Sequence, residues 1–177
     1  RRWLETALVR VAGGTGERDL YLLASQAAGR VSKAPLALDA EELRAAISAR
    51  PGWDPRDWTV DNAARVLLLL RSTTDPAELA RRLERLCLAA DVDELVAWYR
   101  GLPLYPDGAR HVLRAAEGVR SNMRVVFEAV AHRNPYPAEH FAEPAWNQMV
   151  LKALFVGSRL EPVVGVDRRR NPALATM

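Results

Sequence analysis

A single cysteine, Cys87, stands among 177 residues, so no internal disulfide can form. Lysine is nearly missing as well: Lys33 and Lys152 are the two present, against 23 arginines. One isoleucine and six threonines face 29 alanines and 24 leucines, a usage that disfavours sheet and favours helix. The longest apolar runs, such as Val66 to Leu70, fall far short of the roughly 18 residues a membrane span needs. Catalytic and cofactor signatures are missing too. There is no phosphate loop ending in Gly-Lys-Ser/Thr, and Gly13-Gly14-Thr15-Gly16 follows a helical stripe rather than a strand. His-Glu-x-x-His, paired Cys-x-x-Cys and Gly-x-Ser-x-Gly do not occur. No cofactor is expected from this inventory.

What is present describes a soluble globular chain. Hydrophobic residues make up 49% and charged residues 27%, which excludes general disorder. Net charge is only +3 despite a pI near 9.4. The charge is evenly spread: residues 1–90 carry 14 bases and 12 acids, residues 91–177 carry 11 and 10. Arg168-Arg169-Arg170 is the one tight basic cluster, too little for a nucleic-acid face. Cys87 falls on an apolar helical stripe and reads as a small buried hydrophobe. The first residues, Arg1-Arg2-Trp3-Leu4, begin an amphipathic helix rather than a signal peptide, so the expected location is cytoplasmic. A start without methionine and a stop just after a helix-start signal imply trimming at both ends.

Helix signals recur along the chain. Asp39 with Glu42, and Asp91 with Glu94, have capping-box spacing. Asp75-Pro76-Ala77-Glu78 orders an N-cap, a first-turn proline and a box glutamate. Pro135-Tyr136-Pro137 reads as a loop, because two prolines two apart exclude a regular helix interior. Glu143-Pro144 opens a helix to Gly157 that carries apolar residues on two sides and reads as central. Asn171-Pro172 reads as the cap of a further helix. From Asp75, helix starts recur about every 16 residues, so antiparallel pairs recur about every 32. The expected class is all-α over residues 1–177 as one domain. It takes the form of stacked antiparallel hairpins, an α-solenoid of HEAT or TPR type, or of an irregular bundle of about 9–10 helices.

Chemistry-bearing side chains concentrate between Glu117 and Lys152. Arg124, Glu128 and His132 are spaced i, i+4, i+8 on one helical side, as a pocket wall or as a solvated, ion-paired face. His132, His140 and Glu143 are the one conceivable metal set, but two histidines eight apart across a proline loop lack zinc-site spacing, and no metal is expected. His111 reads as surface. Asn147, Gln148 and Lys152, beside Trp146, put polar groups on a helix expected to be central, which implies either a polar edge or a cavity. Asn134 and Tyr136 occupy the turn before it.

This stretch carries a resemblance. Asn134-Pro135-Tyr136-Pro137-Ala138-Glu139-His140-Phe141 and the run from Ala145 to Gly157 resemble the signature of the EboA-like family. Gly165-Val166-Asp167-Arg168 and Asn171-Pro172 are similar to its next segment. Looser similarity covers Leu95–Arg100, Gly101–Leu104, and Ala115–Arg120 with Asn122. Departures are Arg169-Arg170, in place of a more usual Arg-Ala-like pair, and the stop at Met177, where relatives continue through another helix. The resemblance implies a product of a bacterial gene cluster that makes or exports specialised metabolites, including a pigment precursor moved toward the periplasm. Its neighbours there resemble a membrane prenyltransferase, TIM-barrel enzymes, a dehydroquinate-synthase-like enzyme and a phosphatase-like protein. It transfers no catalytic residues.

Two functions are therefore expected. The first is a non-enzymatic accessory protein that binds a small metabolite or a partner enzyme. Its site residues would come from Arg120, Asn122, Arg124, Glu128, His132, Asn134, Tyr136, His140, Trp146, Asn147 and Lys152. The alternative is an enzyme using Glu128, His132, His140 and Lys152 as acid–base or electrostatic groups. Convergence of Glu128, His132, His140, Asn147 and Lys152 in a closed pocket would favour catalysis; spread along an open groove would favour binding.

Overall fold

The structure is a computed structural model that describes residues 2–14 and 16–176. Among these are eleven α-helices: α1 (Arg2–Ala12), α2 (Glu17–Arg30), α3 (Ala40–Ala49), α4 (Val60–Ser72), α5 (Pro76–Ala89), α6 (Val92–Arg100), α7 (Val112–Arg120), α8 (Arg124–Ala131), α9 (Tyr136–His140), α10 (Glu143–Phe155) and α11 (Pro172–Thr176). Short 3-10 turns occupy Pro55–Asp57, Leu102–Leu104 and Gly108–His111. No strand occurs among the described residues, which contain two isolated bridges, Pro35 with Thr59 and His132 with Val163. The fold is all-α.

The caps follow from the sequence. The Asp39 carboxylate accepts from the Glu41 and Glu42 amides while Glu42 accepts from the Asp39 amide. Asp91 and Glu94 repeat the reciprocal pair at α6, and Asp75 accepts from Ala77 ahead of Pro76 at α5. Each such cap is worth about 1 kcal/mol. At α11 the Asn171 side chain accepts from the Leu174 amide at 2.9 Å, closing the cap anticipated there.

Three expectations are corrected. Residues 136–140 form a short helix, α9, rather than a loop. Pro135 sits at its N-cap and Pro137 in its first turn, where a missing N–H costs nothing, and the Asn134 Oδ1 accepts from the Tyr136 amide at 3.0 Å. The helix α10 is buried on one side only: Trp146, Asn147, Met149, Val150 and Ala153 face inward, while Phe155 is 88% exposed. His111 is buried rather than on the surface; its Nε2 lies 3.1 Å from the Pro106 carbonyl and its ring meets Tyr105 edge-on. That burial lowers its pKa.

The central helix is α4. It packs against α1, α2, α5 and α6, so its buried positions run nearly around the helix: Asp61, Asn62, Ala64, Arg65, Val66, Leu68, Leu69 and Ser72. From it, α4, α6 and α8 lie side by side as a row, with α7 packed on α8. Close approach of α7 depends on Gly118. A Cβ there would lie 2.6 Å from the Val130 Cγ2 and 2.7 Å from the Tyr99 ring, so a larger residue would push α7 away. Cys87 is buried as expected, and desolvation pushes its thiol up to about 12, which leaves no thiolate at neutral pH.

Candidate functional site

The row of α6 beside α8, closed at one end by the turn Pro55–Asp57, leaves a cleft of about 270 Å³. Three segments distant in sequence supply its walls. From α6 come Asp93, Val96 and Arg100, at i, i+3, i+7 on one helical face. From α8 and its C-terminus come Val125, Glu128, Ala129 and His132, at i, i+3, i+4, i+7, followed by Arg133 and Asn134. The turn Pro55–Asp57 and its flanking residues contribute Asp54, Asp57 and Trp58. A second recess of about 210 Å³ adjoins across the shared wall of Asp93, Val96 and Arg100. Trp58, Val96, Val125 and Ala129 form the apolar lining, and the remainder is charged, amide or imidazole.

The polar lining is held in place by its own hydrogen bonds. Arg133 takes a left-handed backbone conformation, φ 49°, unusual for a residue with a Cβ. It is over-determined there. Its amide donates to the Pro162 carbonyl at 2.8 Å, its carbonyl accepts from Asp54, and its guanidinium pairs with Asp57 at 2.5 Å and Asp54 at 3.3 Å. Backbone conformations of this kind cost of order 1 kcal/mol or more and persist at sites the surrounding structure constrains. Asn134 is buried with its amide fully used, donating to the Tyr99 and Ala129 carbonyls.

Glu128, Ser158 and His132 form a hydrogen-bonded cluster at the rim. The Ser158 Oγ lies 2.8 Å from the Glu128 carboxylate and 3.0 Å from the His132 Nε2. Nε2 also lies 3.0 Å from the Arg159 carbonyl, which can only accept, so Nε2 carries the proton. The Ser158 proton is then directed at Glu128, and His132 is not placed to remove it. The cluster ties the segment after α10 to α8 and is not a nucleophilic triad. Burial holds the His132 pKa below its usual value despite the opposing Glu128 charge. Burial alone would raise Glu128, but hydrogen bonds from Arg124 and Ser158 outweigh it and hold the carboxyl below the usual range.

Of the eleven anticipated residues, Glu128, His132 and Asn134 line the cleft; the other eight do not. Arg120 is exposed and paired with Glu117, Asn122 is exposed, and Arg124 reaches Glu128 from the solvent side at 2.8 Å. Tyr136 donates to the Gly108 carbonyl at 2.5 Å and stacks on His140, ring centroids 4.5 Å apart. Burial raises its pKa. Trp146 is fully buried beneath the Arg169 guanidinium, 4.8 Å from the ring centroid. Asn147 pairs reciprocally with Asn171, at 3.0 and 2.8 Å. Lys152 donates to the Val119 and Ser121 carbonyls at 2.6 and 2.8 Å, so it caps the C-terminus of α7. No group of three His, Cys, Asp or Glu able to hold a metal ion is found among the described residues. None of their helices is long and apolar enough to cross a membrane.

Sequence pattern alone does not mark Trp58, Asp57, Arg100 and Arg133 as site residues. A signal existed for Arg100: it follows Asp93 and Val96 at helical spacing, at the end of the loosely matching Leu95–Arg100 segment. Comparison with known protein families gives a match along the full length. The whole chain, residues 1–177, matches the family described as metabolite traffic protein EboA. No curated protein and no solved structure matches. The chain belongs to the EboA family.

Proposed function

We propose, taking membership of a metabolite-traffic family as the premise, that the chain is a cytoplasmic accessory protein of a single domain that binds a small metabolite in the cleft between α6 and α8. The observation that carries this reading is the convergence of three distant segments, 54–58, 93–100 and 125–134, on one cavity of about 270 Å³ with an apolar lining and a fixed polar rim. That volume falls just below the roughly 300–1,000 Å³ of drug-sized ligand sites, so the ligand it suits is small. Rigid, pre-ordered walls favour binding, because little entropy is lost in arranging them. Binding rather than catalysis is favoured by the directions of the hydrogen bonds. His132 carries its proton toward Arg159, and Lys152 is occupied by two carbonyls on another face. Partner proteins of the same pathway would then receive or deliver the ligand.

The test is native mass spectrometry of the chain purified from a host that expresses its neighbouring pathway proteins. A small-molecule adduct is expected, and Val125→Trp is expected to remove it. Val125 lines the cleft but is 54% exposed, so the larger ring fills the site without disturbing the core. An adduct that survives Val125→Trp places the ligand elsewhere. A stoichiometric complex with a neighbour and no adduct would make the chain a scaffold.

A further inference from the structure

Arg100 ends α6 and forms part of the wall shared by the cleft and the adjoining recess. A guanidinium carries five N–H donors. Among the described residues Arg100 uses its side chain once, donating to the Asn62 Oδ1 at 2.7 Å, and makes no ion pair. Asp57 and Asp61 are near enough to attract it, yet Asp57 is held by Arg133 and Asp61 by the buried Arg65.

The charge balance around the cleft isolates the same residue. Asp54 is matched by Arg56, Asp57 by Arg133, Asp93 by Lys33 and Glu128 by Arg124. His132, held below its usual pKa by burial, adds no charge at neutral pH. Among the described lining residues and their partners, Arg100 is the cation left unmatched. It stays charged at pH 7 even though burial lowers its pKa. A partly desolvated arginine with one neutral partner gains most from an oxyanion, through paired, charge-assisted hydrogen bonds.

We propose that the cleft holds its ligand by an anionic oxygen group, carboxylate or phosphate, docked on Arg100, with the apolar body of the ligand lying over Val96, Val125 and Trp58. This rests on the assignment of the cleft as the binding site and names the chemical class that it takes.

The test titrates the isotope-labelled chain with four small single-ring aromatic probes: benzoate, phenyl phosphate, benzamide and benzylammonium. Amide shifts report occupancy of segments 54–58, 93–100 and 125–134. Both anions are expected to shift these amides. Arg100→Gln, which keeps a hydrogen-bonding group for Asn62, is expected to weaken both at least about tenfold. Arg100→Lys is expected to weaken them less, and benzamide is expected to ignore either change. Tighter binding of phenyl phosphate than of benzoate would select phosphate, the reverse carboxylate. Benzylammonium binding as tightly as benzoate, or anion affinity unchanged in Arg100→Gln, would overturn the proposal. So would silence of the cleft amides with both anions; if Val125→Trp still strips the adduct in that case, the cleft assignment stands and the anionic class alone falls. Should Arg100→Gln lose its helical circular dichroism, the wild-type probe order and Arg100→Lys still decide.

Discussion

Replacing Arg65 by methionine isolates the largest single electrostatic commitment in the fold. Arg65 and Asp61 lie one turn apart on α4, both about 2% exposed. Arg65 pairs with the Asp61 Oδ2 and donates from Nε to the Ala24 carbonyl at 3.2 Å, while the Asp61 Oδ1 accepts from Thr59 at 2.5 Å. Methionine fills much of the arginine volume, so the main loss is charge: Asp61 is left buried with a hydroxyl and the N-terminal end of α4. Removing one partner of a buried pair costs about 3–5 kcal/mol, a large part of the 5–15 kcal/mol that stabilises a typical domain. With a urea slope of about 2 kcal/mol per molar, the unfolding midpoint should fall by about 2 M. The double variant Asp61→Asn, Arg65→Met no longer buries a lone charge and should regain more than half of that loss. Urea titrations followed by far-UV circular dichroism measure all three chains. A midpoint for Arg65→Met within about 0.5 M of wild type, or a double variant weaker than the single, would refute the reasoning.

Two further outcomes follow from groups assigned above. Lys152→Met should lower stability by about 1–3 kcal/mol, because two charge-assisted bonds to the last carbonyls of α7 are lost, and should leave the adduct in place. Loss of the adduct at unchanged stability would return Lys152 to the binding site. Stability should also fall as the pH is lowered below about 6.5, the unfolded histidine value. His111 and His132 are held below it in the fold by burial, so the unfolded chain takes up their protons first. The contribution is complete above that pH and is lost through the window down to the lowered folded values. His111→Gln should flatten part of this slope in urea midpoints taken between pH 7.5 and 5.5. The carboxyls Asp54 and Glu128, both held below the usual range, act only at lower pH.

Local chemistry was legible in the sequence. The capping boxes at Asp39 and Asp91, the Asp75-Pro76 start and the Asn171 cap are contained within four residues, and each forms as its spacing implies. Misreadings arose where context outweighs local pattern. Two prolines exclude a helix interior but not a first turn, and α9 consists of little more than a first turn. Phe155 continues the apolar pattern of α10, yet no element among the described residues covers it. Asp61 with Arg65 has the i, i+4 spacing of an ordinary surface pair, and becomes buried because α1, α2 and α6 close around α4. The cleft was half legible. Glu128 and His132 share a helical face that spacing reveals, whereas Trp58 and Arg100 join them through packing between segments some 30 to 70 positions apart. No periodicity encodes that meeting.

The most direct test of the cleft assignment is a crystal structure of the chain purified together with its co-purifying small molecule. Density enclosed by Trp58, Val96, Arg100 and Val125, with an oxygen group facing the Arg100 guanidinium, is the expected result. Ordered ligand density at any other surface, with the space between α6 and α8 holding solvent alone, would contradict it.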